Sequence, residues 1–218
     1  MQRTENPTCE IVTIGSELLI GQITDTNSTM LAQLLTAIGI TVRFRTAAAD
    51  RMEDMKRVIR EAAERCDMVI TTGGLGPTED DLTRQAVAEV AGAELEFRPE
   101  LMAEIGEIFR RSGYTMPENN HKQAFVPAGS EVISNPVGTA PAFVTLVGNR
   151  PVIALPGVPR ELRYLMEKKV LTWIRAHFGL GERTILWRSL KVAGLGESGV
   201  DRIIGDLMRE GANPEVGL

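Results

Sequence analysis

Aromatic residues make up only 5% of this 218-residue chain. So sparse a set leaves little for the stacking platforms that hold single-stranded nucleic acid. Cysteine is scarcer still: Cys9 and Cys66 stand far apart in no metal-ligand spacing, and each reads as a small buried hydrophobe. The only histidines, His121 and His177, sit in no triad or ligand spacing, and no Ser/His/Asp or Cys/His arrangement is evident. A net charge of -5 argues against a broad electrostatic footprint for DNA or RNA. No run approaches the ~20 apolar residues of a membrane helix, and the opening MQRTENPTCE has no apolar core of the kind a secretory leader carries. No nucleic-acid or membrane partner is therefore expected, and the expected compartment is cytoplasmic.

What remains is an ordinary globular mixture, 43% hydrophobic and 24% charged. Strand-like and helix-like stretches alternate. CEIVTIG (Cys9 to Gly15), DMVITTG (Asp67 to Gly73) and PVIALPG (Pro151 to Gly157) read as buried strands. ITVRFRTAA (Ile40 to Ala48) alternates as a strand does. Between them lie helical patterns. One is capped by Asp25 and Thr26 and carries Met30, Leu31, Leu34, Leu35 and Ile38; another repeats through Met52, Met55, Val58, Ile59 and Ala62. LTRQAVAEVAG ends near Gly92, a further helix starts at Pro99, and a long one runs from Pro159 to about His177. EVISN and AFVTLVG are short strands, and Gly148-Asn149 signals a hairpin into PVIALPG.

This alternation implies an α/β fold, a mostly parallel sheet with helices on both faces and an antiparallel hairpin at one edge. The first domain is expected over 8–178, with GLGER (Gly179 to Arg183) at the boundary. The segment 182–218 then offers a strand (TILWRSLKV), a helix (GESGVDRIIGDLMRE) and NPEVGL. A unit of under about 40 residues cannot bury a core alone, so it is expected to be an incomplete small α+β domain.

Ligands of open parallel sheets bind beyond the carboxyl ends of the strands. Three glycine-rich turns fall there: GSELLIG, TGGLGPTEDD and LPGVPRE, with NPVGTAP between two further strands. They nominate Gly15, Thr72, Gly73, Gly74, Gly76, Gly138, Thr139 and Gly157, whose backbone can turn N–H groups toward a ligand. TTGGLGPTEDD lacks the Lys-Ser/Thr of a P-loop, and Glu79 stands at the third glycine of a dinucleotide fingerprint. Its acids have two readings. Thr78 and Asp81 have capping-box spacing at a helix start. Alternatively Asp80 and Asp81 hold a divalent cation, which would reconcile acids with a phosphate site. Glu17 and Asn27 follow the first strand, and Lys122 and Gln123 in ENNHKQA are placed to neutralise and orient a phosphate.

Together, GSELLIGQITDTNS, TTGGLGPTEDDLT, ENNHKQAFVP, NPVGTAPAF and LPGVPREL resemble the amino-terminal domain of the CinA (competence/damage-inducible) family. That domain belongs to the wider molybdopterin-binding, MoaB/MogA-like fold. The resemblance implies a three-layer α/β/α domain for a nucleotide- or pterin-phosphate ligand, commonly in a homo-oligomer. For CinA-type domains it implies a metal-dependent ADP-ribose pyrophosphatase; for molybdenum-cofactor relatives, molybdopterin binding or adenylylation. The relatives read TGGTG-x-x-x-RD, whereas here Leu75 replaces the threonine and Asp80 the arginine, with Asp81 matching the aspartate. Ala142 also stands where relatives commonly carry glycine.

These departures favour the CinA branch. The resulting expectation is hydrolysis of a nucleoside diphosphate such as ADP-ribose, the cofactor being a divalent metal (Mg²⁺, Mn²⁺ or Co²⁺). Asp81, with Asp80 or Glu17, would bind the metal, Asp81, Asp80 and Lys122 would be catalytic, and the amides of Gly73, Gly74 and Gly76 would hold a phosphate. The alternative is a molybdopterin- or nucleotide-binding module without turnover. The chain leaves no room for the nicotinamide-nucleotide amidase domain of many CinA proteins, so that activity is not expected of it.

Overall fold

Cys9 and Ile11 point to one side of the first strand, Val12 and Ile14 to the other, and all four are buried. A strand that is apolar on both faces belongs in the middle of a covered sheet. A computed structural model of the protein describes residues 6–181, 185–186, 188–208 and 212–218 and places it there. In chain order, β1 (Thr8–Ile14) leads to a one-turn helix α1 (Ser16–Leu19) and then α2 (Thr26–Ala37). Next come β2 (Thr41–Ala48), α3 (Met52–Arg65), β3 (Met68–Thr72) and α4 (Thr83–Ala91). The short strand β4 (Leu95–Phe97) precedes α5 (Pro99–Ser112), and a 3₁₀ helix at Glu118–Ala124 precedes β5 (Phe125–Pro127). The strands β6 (Glu131–Ile133), β7 (Ala142–Val147) and β8 (Arg150–Leu155) follow. The last long helix is continuous: α6 (Pro159–Leu165), a π-turn at Met166–Val170, and α7 (Leu171–Phe178).

The six-stranded sheet has the order β2-β1-β3-β8-β7-β6. The pairs β1–β2, β1–β3 and β3–β8 are parallel; β7 runs antiparallel to both β8 and β6. Helices cover both faces. Leu31 and Leu35 of α2 and Leu162, Leu165 and Ile174 of the last helix pack on Ile11, Ile70, Ile153 and Leu155. Met55 and Ile59 of α3, Val87 of α4, and Leu101 and Ile105 of α5 pack on Val12, Val69, Val152 and Ala154. The expected three-layer α/β/α architecture is thus present. Its helix starts follow the expected signals: Asp25 Oδ1 accepts the Ser28 N–H at 2.8 Å, and Pro99 and Pro159 open their helices.

Two elements go beyond the sequence-based expectation. β4 and β5 pair as a separate antiparallel ribbon, closed by the Phe97 and Phe125 rings 5.3 Å apart. ENNHKQA, whose polar composition suits a loop, is the 3₁₀ helix following Pro117.

The chain divides into two compact units, Met1–Ile185 and Leu186–Leu218. In the second, α8 (Glu197–Ile204) continues into a 3₁₀ turn at Gly205–Leu207 and buries none of its residues. Of the strand expected over 184–192, residues 185–186 and 188–192 carry no regular structure; 184 and 187 lie outside the described residues. Among the described residues no helix is long and apolar enough to cross a membrane.

Candidate functional site

β1, β3 and β8 are parallel neighbours, so the glycine-rich turns that follow them meet beyond the carboxyl ends of these strands. They meet backbone to backbone. The Gly73 N–H donates to Leu155 O at 3.1 Å, and Thr72 Oγ1 donates to Pro156 O at 3.1 Å. A Cβ on Gly73, where φ is +103°, would stand 2.2 Å from Ile14 O; one on Gly157 would stand 3.2 Å from Gly73 Cα. Gly74, at φ +66°, lies against Thr83, whose hydroxyl donates to Gly73 O at 2.8 Å. Asn27 ties this junction to α2, its Nδ2 donating to Gly157 O at 2.7 Å. Gly73 and Gly157 are therefore dictated by the meeting of three loops, and Gly74 by its approach to Thr83. Gly73 cannot lend its amide to a ligand as expected, because Leu155 O already holds it. The N–H groups of Gly74 and Gly76 have no acceptor among the described residues.

Above the junction opens a cleft of about 490 Å³. Every residue nominated from the sequence lines it except Lys122 and Gly138. Lys122 sits beside it, its Nζ donating to Thr78 O. Gly138 lines a small adjoining hollow and lies against the Glu161 carboxylate. Gln123 is buried and fixed twice: its Oε1 accepts from Asn120 Nδ2 at 2.7 Å, and its Nε2 donates to Leu75 O at 3.2 Å.

The acids do not start a helix. α4 begins at Thr83, its N-cap residue Leu82 makes no side-chain cap bond, and Thr78–Asp81 forms a separate turn before it. The capping-box partners do meet, for Asp81 Oδ2 accepts from Thr78 N at 2.8 Å and from Thr78 Oγ1 at 2.6 Å. Asp80 Oδ1 accepts from the same hydroxyl, so one threonine gathers both carboxylates. That hydroxyl, with a backbone N–H and nearby Lys122, holds the Asp80 carboxyl below the usual carboxylate range.

Two side chains escape the sequence reading. Glu161 lines the cleft, and Asn135 Nδ2 donates to its Oε2 at 2.7 Å; burial pushes its carboxyl up. It is the third residue of a helix opened by Pro159, a place where acids are common for dipole reasons alone. Arg84 is 1% exposed, packed behind the glycine loop with its Nη2 donating to Leu75 O at 2.7 Å. Its signal is spacing: Arg84, Val87 and Ala88 stand at i, i+3 and i+4 on one helix face, and all three are buried.

The electrostatics of the cleft are one-sided. Glu17, Asp25, Asp50, Asp80, Asp81 and Glu161 line it, and the described lining contains no Lys, Arg or His. Asp25 is engaged as the α2 cap, and Asp50 Oδ2 accepts the Ser16 N–H at 2.7 Å. The Glu17 carboxylate folds back over Gly15. Among the described residues no three carboxylate, thiol or imidazole groups converge as a ready cage for a metal. The Asp80/Asp81 pair is nonetheless the donor set that suits a hard cation completed by water and phosphate oxygens.

The family described as "Probable molybdopterin binding domain" matches residues 10–176. A crystal structure of the protein CinA from Thermoplasma acidophilum is 33% identical and superposes with a TM-score of 0.70, covering 77% of this chain and 98% of that one. The chain belongs to the CinA family. CinA-like proteins of Dictyoglomus thermophilum and Thermomicrobium roseum are 41% and 40% identical over 95% and 91% of this chain. The chain spans about half the length of these curated relatives, 50% and 48%. The MoaB fold is shared too: the molybdopterin biosynthesis enzyme MoaB of Thermus thermophilus has a TM-score of 0.54 at 20% identity, covering 80% of this chain and 95% of that one. This CinA-family chain therefore carries a molybdopterin-binding-type domain, and the cleft lies within it.

Proposed function

We propose that the cleft binds a phosphorylated pterin or nucleotide together with a divalent cation. One observation carries this reading: a glycine-walled cleft at the carboxyl ends of parallel strands is lined by six carboxylates and, among its described residues, by no basic side chain. An anion alone would be repelled there, whereas an anion bridged by a cation would not. The family match supports binding of a molybdopterin-like ligand. Gly74 and Gly76 would offer their N–H groups to a phosphate, Gln123 and Thr139 would orient the ligand, and Asp80 and Asp81 would hold the cation.

A second reading is turnover, hydrolysis of a nucleoside diphosphate such as ADP-ribose. The acidic pair favours it, because Asp80 replaces the arginine that molybdenum-cofactor relatives carry. Water oxygen would bond to one phosphorus as the bridging P–O bond breaks, leaving AMP and ribose 5-phosphate. A bound divalent ion supplies charge neutralisation and a more acidic water. Asp80 and Asp81 would hold that ion, and Lys122, which donates to Thr78 O, would offset charge from beside the cleft.

Calorimetric titration with ADP-ribose and with a pterin phosphate, each with Mg²⁺ and with chelator, tests the first reading. Product analysis with Mg²⁺, Mn²⁺ and Co²⁺ tests the second. Metal-dependent binding without products leaves a binding domain; AMP and ribose 5-phosphate make it a hydrolase. Failure of both ligands to bind with any of these metals would overturn both readings.

A further inference from the structure

Arg84 is the largest of the fully buried side chains, and most of its guanidinium is idle. Nη2 donates to Leu75 O, while Nε and Nη1 are buried and have no partner among the described residues. Folds pair such groups because a buried charge left without partners is costly. Here no carboxylate of the described residues makes an ion pair with it; Asp81 acts on it only from a distance, favouring its charged form. Burial lowers the group to about 10, so it keeps its proton at neutral pH.

Its position explains the expense. The carbonyl it holds belongs to Leu75, which lines the cleft between Gly74 and Gly76, and the buried Gln123 amide reaches the same oxygen. In front of that backbone stand the carboxylates, with no basic side chain among the described lining. A cation inside the cleft would pair with Asp80 or Asp81 and occupy them. A cation behind the loop leaves them free and still acts through low-dielectric protein on what approaches the loop.

We propose that Arg84 is the positive charge of this binding site, placed behind the glycine loop so that its field draws a phosphate or diphosphate onto Gly74–Gly76 while Asp80 and Asp81 stay open to the metal. This rests on the phosphate-binding reading above and goes beyond it by naming the residue that makes an acidic cleft accept an anion. Arg84 touches no ligand in this role; it is a positioning residue.

The test separates charge from hydrogen bonding. Arg84→Gln keeps a donor for Leu75 O without the charge, and Arg84→Lys keeps the charge. Binding of pyrophosphate with Mg²⁺ is measured by calorimetry, with thermal unfolding as a check that each variant is folded. Arg84→Gln should lose about tenfold in affinity and Arg84→Lys about threefold or less, a buried charge acting at an effective dielectric of about 20. Equal affinity of Arg84→Gln and wild type would overturn the proposal. Equal losses in both variants would do so too, since only the shape of the side chain would then matter. If neither variant folds, ¹⁵N spectra of the arginine side chains in the wild type decide. The Arg84 Nε resonance should shift on addition of pyrophosphate with Mg²⁺, and an unmoved resonance would overturn the proposal. Should the wild type itself bind no pyrophosphate, the phosphate-binding reading fails, an outcome distinct from unchanged binding in Arg84→Gln.

Discussion

Glu10 in β1 and Arg84 in α4 are both buried charged side chains, yet the fold surrounds them differently. Glu10 is saturated. Arg65 grips it with Nε at 2.7 Å and Nη2 at 2.6 Å, Thr46 Oγ1 donates to it at 2.6 Å, and the Arg65 guanidinium lies 4.1 Å above the Phe44 ring centre. Arg84 meets one carbonyl. The first arrangement locks α3 to the inner strand β1 and its neighbour β2, and none of its residues lines the cleft. The second stands directly behind the cleft with donors to spare. Polar groups that a fold leaves unsatisfied tend to mark the places where something else is meant to happen, and here the contrast separates a structural charge from a functional one.

That contrast can be broken in several ways. The largest effect is expected from Asp81→Asn, which keeps an acceptor for Thr78 but removes a charge from the cation pair. Metal-dependent turnover or binding should fall by about 100-fold, with the melting temperature close to wild type. Next is Arg65→Met, which strands Glu10. Breaking a buried pair costs about 3–5 kcal/mol. Arg65 is 41% exposed, so a loss of about 2 kcal/mol, roughly 4–8 °C in melting temperature, is expected. Ligand affinity of the folded fraction should not change.

Comparable in size is Gly74→Ala. Its φ of +66° and the Thr83 hydroxyl 2.1 Å from the new Cβ should cost about 1–3 kcal/mol and weaken binding, because the loop itself must shift. Smallest is Glu161→Gln. Burial raises the Glu161 carboxyl, so the folded protein holds that proton more tightly than the unfolded chain. Stability is therefore lost as pH rises from the ordinary glutamate range through the raised value. The glutamine variant cannot ionise, and thermal unfolding should find it gaining on wild type at pH 7 relative to pH 4.

Much of the scaffold is legible in the sequence because its signals are redundant. CEIVTIG, DMVITTG and PVIALPG each present apolar side chains to two covered faces, and Asp25, Pro99 and Pro159 mark helix starts that packing then confirms. The ribbon of β4 and β5 is not, since three residues are too few to show a period. At the site, sequence spacing finds the wall residues but cannot assign their duties. Thr78 and Asp81 make one half of a capping box, the Thr78 N–H donating to Asp81 Oδ2, while the Asp81 N–H goes to the Thr78 carbonyl and the helix waits until Thr83. Gly73 looks like an amide donor, and a strand far along the chain claims its N–H. Arg84 is hidden by its own charge, because a basic residue near a helix start reads as surface until its i+3 and i+4 neighbours are seen to be buried.

The most direct measurement is the affinity of ADP-ribose for the wild type, by calorimetry, with Mg²⁺ and again with excess chelator, repeated for Asp80→Asn and Asp81→Asn. A cation-bridged site predicts binding with Mg²⁺ that disappears with chelator and falls at least tenfold in either variant. Undiminished binding in chelator would contradict it, since the six carboxylates of the cleft would then be receiving an anion with no cation between them.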